Sequence, residues 1–174
     1  LEAAQLFKQT VFSKFETWTW ETLEDGGETS PSNESSVVLF ASVDDRKILL
    51  TGDAGSQSLS QSADRCDRYG FQLQDFLLVS MPHHGSRRNI GPTLLNRIVG
   101  DIVPEGSEPK LIAVASASKE DDKHPRRVVL NAFKRRGAKT LTTENGGVLI
   151  RHNAPSRSGF QPMESIPFYD FVEE

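Results

Sequence analysis

Two short motifs place side chains that can bind metals directly after apolar strands. Asp53 lies within the segment Thr51–Gly55, and the adjacent His83 and His84 lie within Met81–Ser86. A carboxylate can bridge two divalent metals, whereas neighbouring imidazoles point in different directions and can divide the roles of ligand and of proton donor or phosphate contact. If the two preceding strands run parallel, both turns open at the same edge of the sheet and these side chains converge.

Each motif on its own also has a simpler interpretation. A Thr-Gly-Asp turn can merely end a strand, with Asp53 capping a helix that begins near Ser56, and a histidine pair can be a satisfied loop or core feature. The joint occurrence of the motifs on successive strand ends favours the chemical interpretation. A site with two catalytic metals needs several further ligands, yet the only other histidines are His124 and His152. The chain is therefore expected to carry half of such a site.

Basic residues follow both histidine-containing loops. Arg87–Arg88 come directly after the histidine pair, and Arg126–Arg127 follow His124 and a proline. In a chain of net charge −4, this clustering predicts an edge that receives an anion such as a phosphoryl group. The alternative is that such residues are only the solvated face of a helix. We favour that alternative for Lys134–Arg136, because cations in the last turn offset the helix dipole.

The pattern excludes several other kinds of site. Ser86 lies after Gly85 rather than between two glycines, so the nucleophile elbow of a serine hydrolase is absent. Walker and dinucleotide-binding patterns are absent too. Cys66 is the only cysteine, which rules out an internal disulfide and a cysteine-based zinc finger. No apolar run of about 18 residues occurs, so we expect no membrane segment and a cytoplasmic location.

Hydrophobic periodicity predicts the elements that position these residues. The N-terminal part is predicted as a helix over Leu1–Lys14, an alternating strand around Trp18–Thr22 and a loop over Glu24–Ser36. A hairpin follows, with strands Ser36–Val43 and Lys47–Thr51. Because these two strands are almost continuously apolar, we expect them to be central strands covered on both faces.

Helices and strands alternate in the remaining part of the chain. The predicted helices are Ser56–Tyr69, Pro92–Val99 and Pro125–Arg136, and the predicted strands are Phe76–Met81 and Leu111–Ala115. A terminal hairpin is predicted from Lys139–Thr143 and Val148–His152. From residue 153 onward the composition predicts a surface tail, pinned by Phe168, Tyr169 and Phe171.

Five motifs in this order resemble the C-terminal half of metallo-β-lactamase-fold hydrolases. The similarity is greatest to the branch that includes the soluble domain of ComEC-type DNA-uptake competence proteins. It spans roughly residues 33–151, and its motifs are Ser35–Phe40, Ile48–Gly55, Met81–Ser86, His124-Pro125 and Thr143–Gly146.

The resemblance implies an α/β fold, a four-layered αββα sandwich of which this chain is the C-terminal half. Residues 1–152 would form that part of the domain and residues 153–174 a surface tail. It also implies two divalent metals, usually zinc and in some members manganese. Asp53 would bridge the metals, His84 would complete one of them, and His83 would face the substrate. Further substrate contacts are expected from Ser86, Arg87 and His124.

The His-x-His-x-Asp-His motif of the family is absent from this chain. We therefore expect a metal-dependent hydrolase of a phosphoester or phosphodiester, such as a nucleic acid or nucleotide, that uses metal-bound hydroxide and is incomplete here. The missing N-terminal half of the domain, or a partner chain, would supply the remaining ligands. The alternative is a non-catalytic interaction domain with the same fold. In either case the apolar stretches Val37–Leu39 and Phe76–Leu78 are expected to be exposed and to promote association.

Overall fold

A computed structural model describes residues 13–173. Its strands are β1 (Ser13–Phe15), β2 (Leu39–Val43), β3 (Arg46–Leu50), β4 (Phe76–Ser80), β5 (Leu111–Ala115), β6 (Ala138–Thr142) and β7 (Phe171–Glu173). Its helices are α1 (Pro31–Glu34), α2 (Ser56–Arg68), α3 (Pro92–Ile98) and α4 (Arg127–Arg135). Strands β2 to β6 form one sheet in chain order, and β1 pairs with β7 outside it.

The sheet directs four strand ends to one edge. β2 and β3 form an antiparallel hairpin whose two turn residues, Asp44 and Asp45, have φ of 48° and 59°, as a tight hairpin turn requires. β3, β4, β5 and β6 run parallel, with helices in the connections. The loops that follow their carboxyl ends therefore meet at the same edge.

One face of the sheet packs against the helices. Leu49, Val79 and Ala113 are neighbours across β3, β4 and β5, and all three are buried. They belong to one core with Leu95 of α3 and Val129 of α4. Full burial of such a side chain contributes roughly 1.5–3 kcal/mol. The protein is thus a mixed α/β structure, as the sequence predicts.

The opposite face of the sheet is only partly covered. Ile48, Leu78 and Ile112 are neighbours on this face and are half-buried. Near β5 and β6 the segment 147–163 crosses the face and forms a groove with Ile112 and Leu141. The residues that the structure describes thus form a sheet with one layer of helices, and a four-layered sandwich would need a second sheet on this face.

The predicted hairpin forms, but the expectation that both strands are buried is wrong. β2 is an edge strand, and Leu39 and Val43 are 51% and 57% exposed. The preceding residue Val37 is 81% exposed. The apolar sequence of β2 therefore does not indicate burial on both faces, because one face of this strand is uncovered. In the stretch 76–78, by contrast, Phe76 is buried in the core, and Leu77 and Leu78 are half-exposed.

Two predicted strands are also wrong. Residues 18–22 form no strand; Thr17 and Trp20 close a tight turn, and the Trp18 indole Nε1 donates to the carbonyl of Val103 at 2.7 Å. The partner strand expected over 148–152 is absent, because its apolar residues line the groove on the open face while β6 pairs with β5. Most of the predicted helix over 1–14 lies outside the described residues, and its last two residues belong to β1.

The interpretation of 134–136 as a solvated helix face is wrong as well. Arg135 and Arg136 are fully buried, and Lys134 is half-buried with its Nζ 2.9 Å from Ser165 Oγ. Arg135 Nη1 lies 3.1 Å from Glu16 Oε2, and Arg136 Nη1 lies 2.8 Å from Glu21 Oε1. These pairs fasten the segment that follows β1 to α4.

The tail is anchored over its last third. Ile166 donates its N–H to Thr140 O at 2.9 Å, Phe168 packs on Trp18, and Tyr169 is packed under Arg127. Val172 of β7 is buried. Residues 153–164 are exposed, as predicted. No helix within residues 13–173 combines the length and the apolar character needed to cross a membrane.

Candidate active site

The parallel pairing of β3 and β4 brings the two sequence motifs together. Thr51 ties the strand ends, since its N–H donates to Ser80 Oγ at 2.8 Å and its hydroxyl donates to Ser80 O at 2.9 Å. The N–H of His83 donates to Gly52 O at 3.0 Å, and Gly52 has a φ of 53°. As a result His84 Nε2 lies 3.8 Å from Asp53 Oδ1. The predicted convergence of the aspartate and a histidine is confirmed.

His84 is held in the orientation that a metal ligand needs. Its Nδ1 makes a short hydrogen bond with the carbonyl of Ser116, just after β5. A carbonyl accepts only, so Nδ1 donates this hydrogen bond, and Nε2 is the ring nitrogen that faces Asp53. Two ligands of one tetrahedral zinc ion lie about 3.3 Å apart. The 3.8 Å between His84 Nε2 and Asp53 Oδ1 is therefore close to the separation that a shared metal would impose.

The histidine loop is one of the strained stretches of the backbone, and His83 lies at its centre. The φ and ψ of His83 are 45° and 54°, and His84 and Gly85 also have positive φ, a conformation that L side chains rarely adopt. A Cβ on Gly85 would lie 2.8 Å from Pro125 Cβ. The Nδ1 of His83 is buried and has no hydrogen-bond partner in the described part of the chain. Such a combination of strain and an unsatisfied polar atom is typical of functional sites.

Burial also sets the charge of His83. It lowers the pKa of this imidazole, and the nearby Asp53 carboxylate opposes the effect without cancelling it. His83 is therefore neutral at neutral pH, with one ring nitrogen available to donate and the other to accept.

His124 joins the two histidines from the loop after β5. Its ring centroid lies 5.5 Å from that of His83 and 6.3 Å from that of His84. Asp121 Oδ2 lies 3.0 Å from His124 Nδ1. Hydrogen bonds from the Lys123 N–H and from His124 lower the pKa of Asp121, so the carboxylate stays charged and fixes the imidazole with Nε2 free.

Sequence reasoning missed Asp121 and Asn89. The Asp-x-x-His spacing of the first was a signal that could have been used. Asn89 is buried, and its Nδ2 donates to the carbonyls of Asp53 and Ala54 at 3.0 and 3.2 Å. It thereby fastens the histidine loop to the aspartate turn. An asparagine in a loop carries no sequence signal for such a contact.

The interpretation of Asp53 as a helix cap is wrong. Helix α2 begins after Gly55 with no side-chain cap of its own, and its Ser58 N–H donates to Glu34 Oε2 at 2.8 Å. Asp25 Oδ1 accepts from the Thr93 N–H of α3, and Glu173 accepts from the Arg127 N–H of α4. At each of these three helix N-termini the N–H group therefore donates to a carboxylate other than Asp53, and Asp53 caps none of them.

The residues predicted to contact substrate differ in position: some are buried in the loop and others line a groove. Ser86 is buried, and its Oγ accepts from the Arg88 N–H at 3.3 Å, so its hydroxyl stabilises the loop. Arg87 and Arg88 line a groove of about 440 Å³ beside the histidine loop. Arg127 instead lies over the Tyr169 ring at 4.9 Å. Two of the four arginines are therefore directed to a groove next to the site.

Three carboxylates line the same groove, and each has a partner. Glu24 lies 3.8 Å from Lys14 Nζ, and Asp25 and Glu173 accept the helix N–H groups described above. Within residues 13–173, Arg87 and Arg88 make no ion pair. Together with Lys14, the two arginines balance these three carboxylates in formal charge, and both guanidinium groups are available to pair with an anion.

The described residues do not complete a metal centre. Among residues 13–173, no three His, Cys, Asp or Glu side chains form a group that could hold a metal ion. Asp53 and His84 would be two ligands of a larger set.

Comparison with known proteins assigns no relatives to the chain: it matches no protein-family model, no curated protein and no solved structure.

Proposed function

We propose that this chain is the C-terminal half of a metal-dependent phosphoester hydrolase of the metallo-β-lactamase fold. The observation that carries the proposal is the arrangement of Asp53 and His84, with His84 Nδ1 bound to a backbone carbonyl and Nε2 facing the carboxylate. A histidine in an ordinary loop does not need the hydrogen bond between Nδ1 and a carbonyl, whereas metal-ligating histidines regularly make such a hydrogen bond.

Asp53 and His84 would hold the metal, with zinc or manganese as the expected ion. When bound, a pair of divalent metals supplies Lewis acidity and makes water nucleophilic at neutral pH. The remaining ligands would come from the missing N-terminal half or from a partner chain.

The other residues of the site would act on the substrate. His83 lies beside His84 and is neutral, so it can share a hydrogen bond with a phosphoryl oxygen. Asp121 holds His124 with its second nitrogen free, in a position to donate to or accept from the same group. The unpaired Arg87 would bind an anionic oxygen near the rim. These roles suit a phosphoester, such as one within a nucleotide or nucleic acid, better than a neutral ester.

The open face of the sheet supports the idea of a missing half. Ile48, Leu78 and Ile112 form an apolar surface that is only half-buried. A sheet that is covered by helices on one face normally buries its second apolar face as well. A second sheet packed here would also bring new ligands to the edge that carries Asp53.

The test uses the complete gene product. Its metal content should be at least one zinc or manganese per molecule, and it should hydrolyse bis-p-nitrophenyl phosphate. Asp53→Asn and His84→Gln should each remove metal and activity together. The matched controls are Asp101→Asn, exposed and remote from the motif, and His152→Gln, just before the tail, which should retain both.

Two outcomes would contradict the proposal. The first is a metal-free complete protein without hydrolysis, which would favour a non-catalytic interaction domain. The second is tight stoichiometric zinc on this chain alone, because two ligands leave most coordination positions to water and should bind metal weakly.

A further inference from the structure

The two edges of the main sheet differ in how they are covered. At β6, the tail covers the outer side through the hydrogen bond from Ile166 N to Thr140 O. At β2, the inner side pairs with β3, and within the described residues no backbone group pairs with the outer side. An edge strand of this kind presents a row of free N–H and C=O groups to any strand that approaches.

β2 also lacks the features that normally prevent edge pairing. Its five residues, Leu39–Val43, contain no charged residue and no proline, and its register with β3 is regular. Natural edge strands usually carry a lysine, a proline or a bulge. Here Leu39 and Val43 are instead more than half exposed, and Val37 is more exposed still. The edge therefore has the composition of an interface.

We propose that β2 is a homodimer interface, pairing antiparallel with β2 of a second copy around a two-fold axis at Ala41. In this register Leu39 lies opposite Val43 of the partner subunit, and Phe40 lies opposite Ser42 of the partner subunit. Leu39 and Val43, which are exposed on the open face, then contact each other across the interface. A two-fold axis repeats each contact, so this apolar pair occurs twice. The product is a continuous ten-stranded sheet.

Charge favours a second copy as the occupant. The acidic pair Asp44 and Asp45 forms the turn at one end of β2, so antiparallel pairing sets the turn of one copy beside Val37 of the partner subunit. Asp44 of the partner subunit then lies opposite Val38, six residues from Asp44 of the first copy, so the two acidic turns are roughly 20 Å apart at about 3.4 Å per residue. That separation exceeds the Debye length of about 8–10 Å. Apolar side chains meet, and like charges are kept apart.

The first test is sedimentation of the whole chain from about 1 to 100 µM, a range that covers dissociation constants typical of small interfaces. We expect a reversible monomer–dimer equilibrium. Leu39→Lys combined with Val43→Lys should weaken it by about 100-fold, because lysines then face apolar partners along the strand. The control is Trp20→Lys, which replaces a residue that is 68% exposed in the turn after β1 and should leave the equilibrium unchanged.

The second test fixes the register by cross-linking in a Cys66→Ser background. Residues directly opposite in antiparallel strands have Cβ atoms about 4.5–5.5 Å apart, close enough for a disulfide with small adjustments. Ala41→Cys should therefore give a covalent dimer on mild oxidation. Ile48→Cys, its neighbour on β3 and on the same face, should not, since its copies would be separated by three strand spacings.

Three results would overturn the dimer. They are a monomer at every concentration, a dimer that ignores the lysine pair, and cross-linking through Ile48→Cys in place of Ala41→Cys. The last result would assign association to the open face. The dimer does not rest on metal chemistry, so a failure of either proposal leaves the other standing.

Discussion

Polar and charged side chains are used in opposite ways at the candidate active site and beneath α4. Around Arg135 every guanidinium nitrogen donates a hydrogen bond: Nε to Trp18 O, Nη1 to Glu16, and Nη2 to the carbonyls of Thr17 and Trp20. At the site, the Nδ1 of His83 has no partner in the described residues and the arginines of the neighbouring groove make no ion pair. Saturated polar groups hold a structure together, whereas unsaturated ones are available to a ligand.

The largest effect is expected where the saturated network is broken. Arg135→Ala leaves the fully buried Glu16 carboxylate without its cation, and we expect a loss of about 3–5 kcal/mol in the free energy of unfolding. Urea denaturation measures this change. Arg151→Ala, at an exposed position, is the control. A loss below about 1 kcal/mol would show that the buried pair is not needed for stability.

A smaller effect, on activity alone, is expected at Asp121. Asp121→Ala removes the acceptor that orients His124, so hydrolysis by the complete protein should fall by about 10- to 100-fold. The unfolding free energy should be unchanged, as is usual for a surface side chain. Asp122→Ala removes an exposed neighbouring carboxylate and should change neither quantity. Equal losses in the two variants would assign only a general charge effect to this loop.

The groove arginines should discriminate between charged and neutral substrates. Arg87→Gln should raise the KM for a phosphoester by about tenfold at low salt and leave a neutral ester of similar size unaffected. The difference should shrink as salt screens the rim. Arg68→Gln, at the exposed end of α2, provides the comparison. An equal effect on both substrates would make Arg87 a structural residue.

The smallest expected effect concerns the Glu34 cap of α2. Burial alone would raise the pKa of Glu34, but hydrogen bonds from Thr29 and Ser58 outweigh it, and the pKa lies below its ordinary value of 4.5. The cap therefore stabilises the fold above about pH 4.5, and this stability is lost as the pH falls through the lowered pKa.

Glu34→Gln tests this pH dependence directly. At neutral pH the variant should be about 1 kcal/mol less stable than the wild type, and the difference should narrow in acid. Unfolding curves at neutral and at acidic pH measure it. A difference that is constant with pH would mean that the carboxylate charge contributes nothing.

Local patterns predicted the proximity of Asp53 and the histidine pair better than they predicted the surroundings of these residues. Asp53 and the histidine pair follow apolar strands closely in sequence, so parallel pairing was enough to bring them together. Arg135 was misread because a basic triplet at a helix end is usually solvated, and its partner Glu16 lies more than a hundred residues away in the chain. The exposure of β2 depends on which strand ends the sheet, and residue alternation within the strand carries no such information.

The carboxylates on the helix N-termini have a consequence for how this edge can evolve. Asp25, Glu34 and Glu173 already neutralise the positive ends of α3, α2 and α4. The fixed backbone therefore offers an incoming anion little attraction, and ligand preference is left to long, rotatable arginine side chains. If the proposed anion binds at this edge, a single surface substitution can change which anion is accepted without disturbing the scaffold.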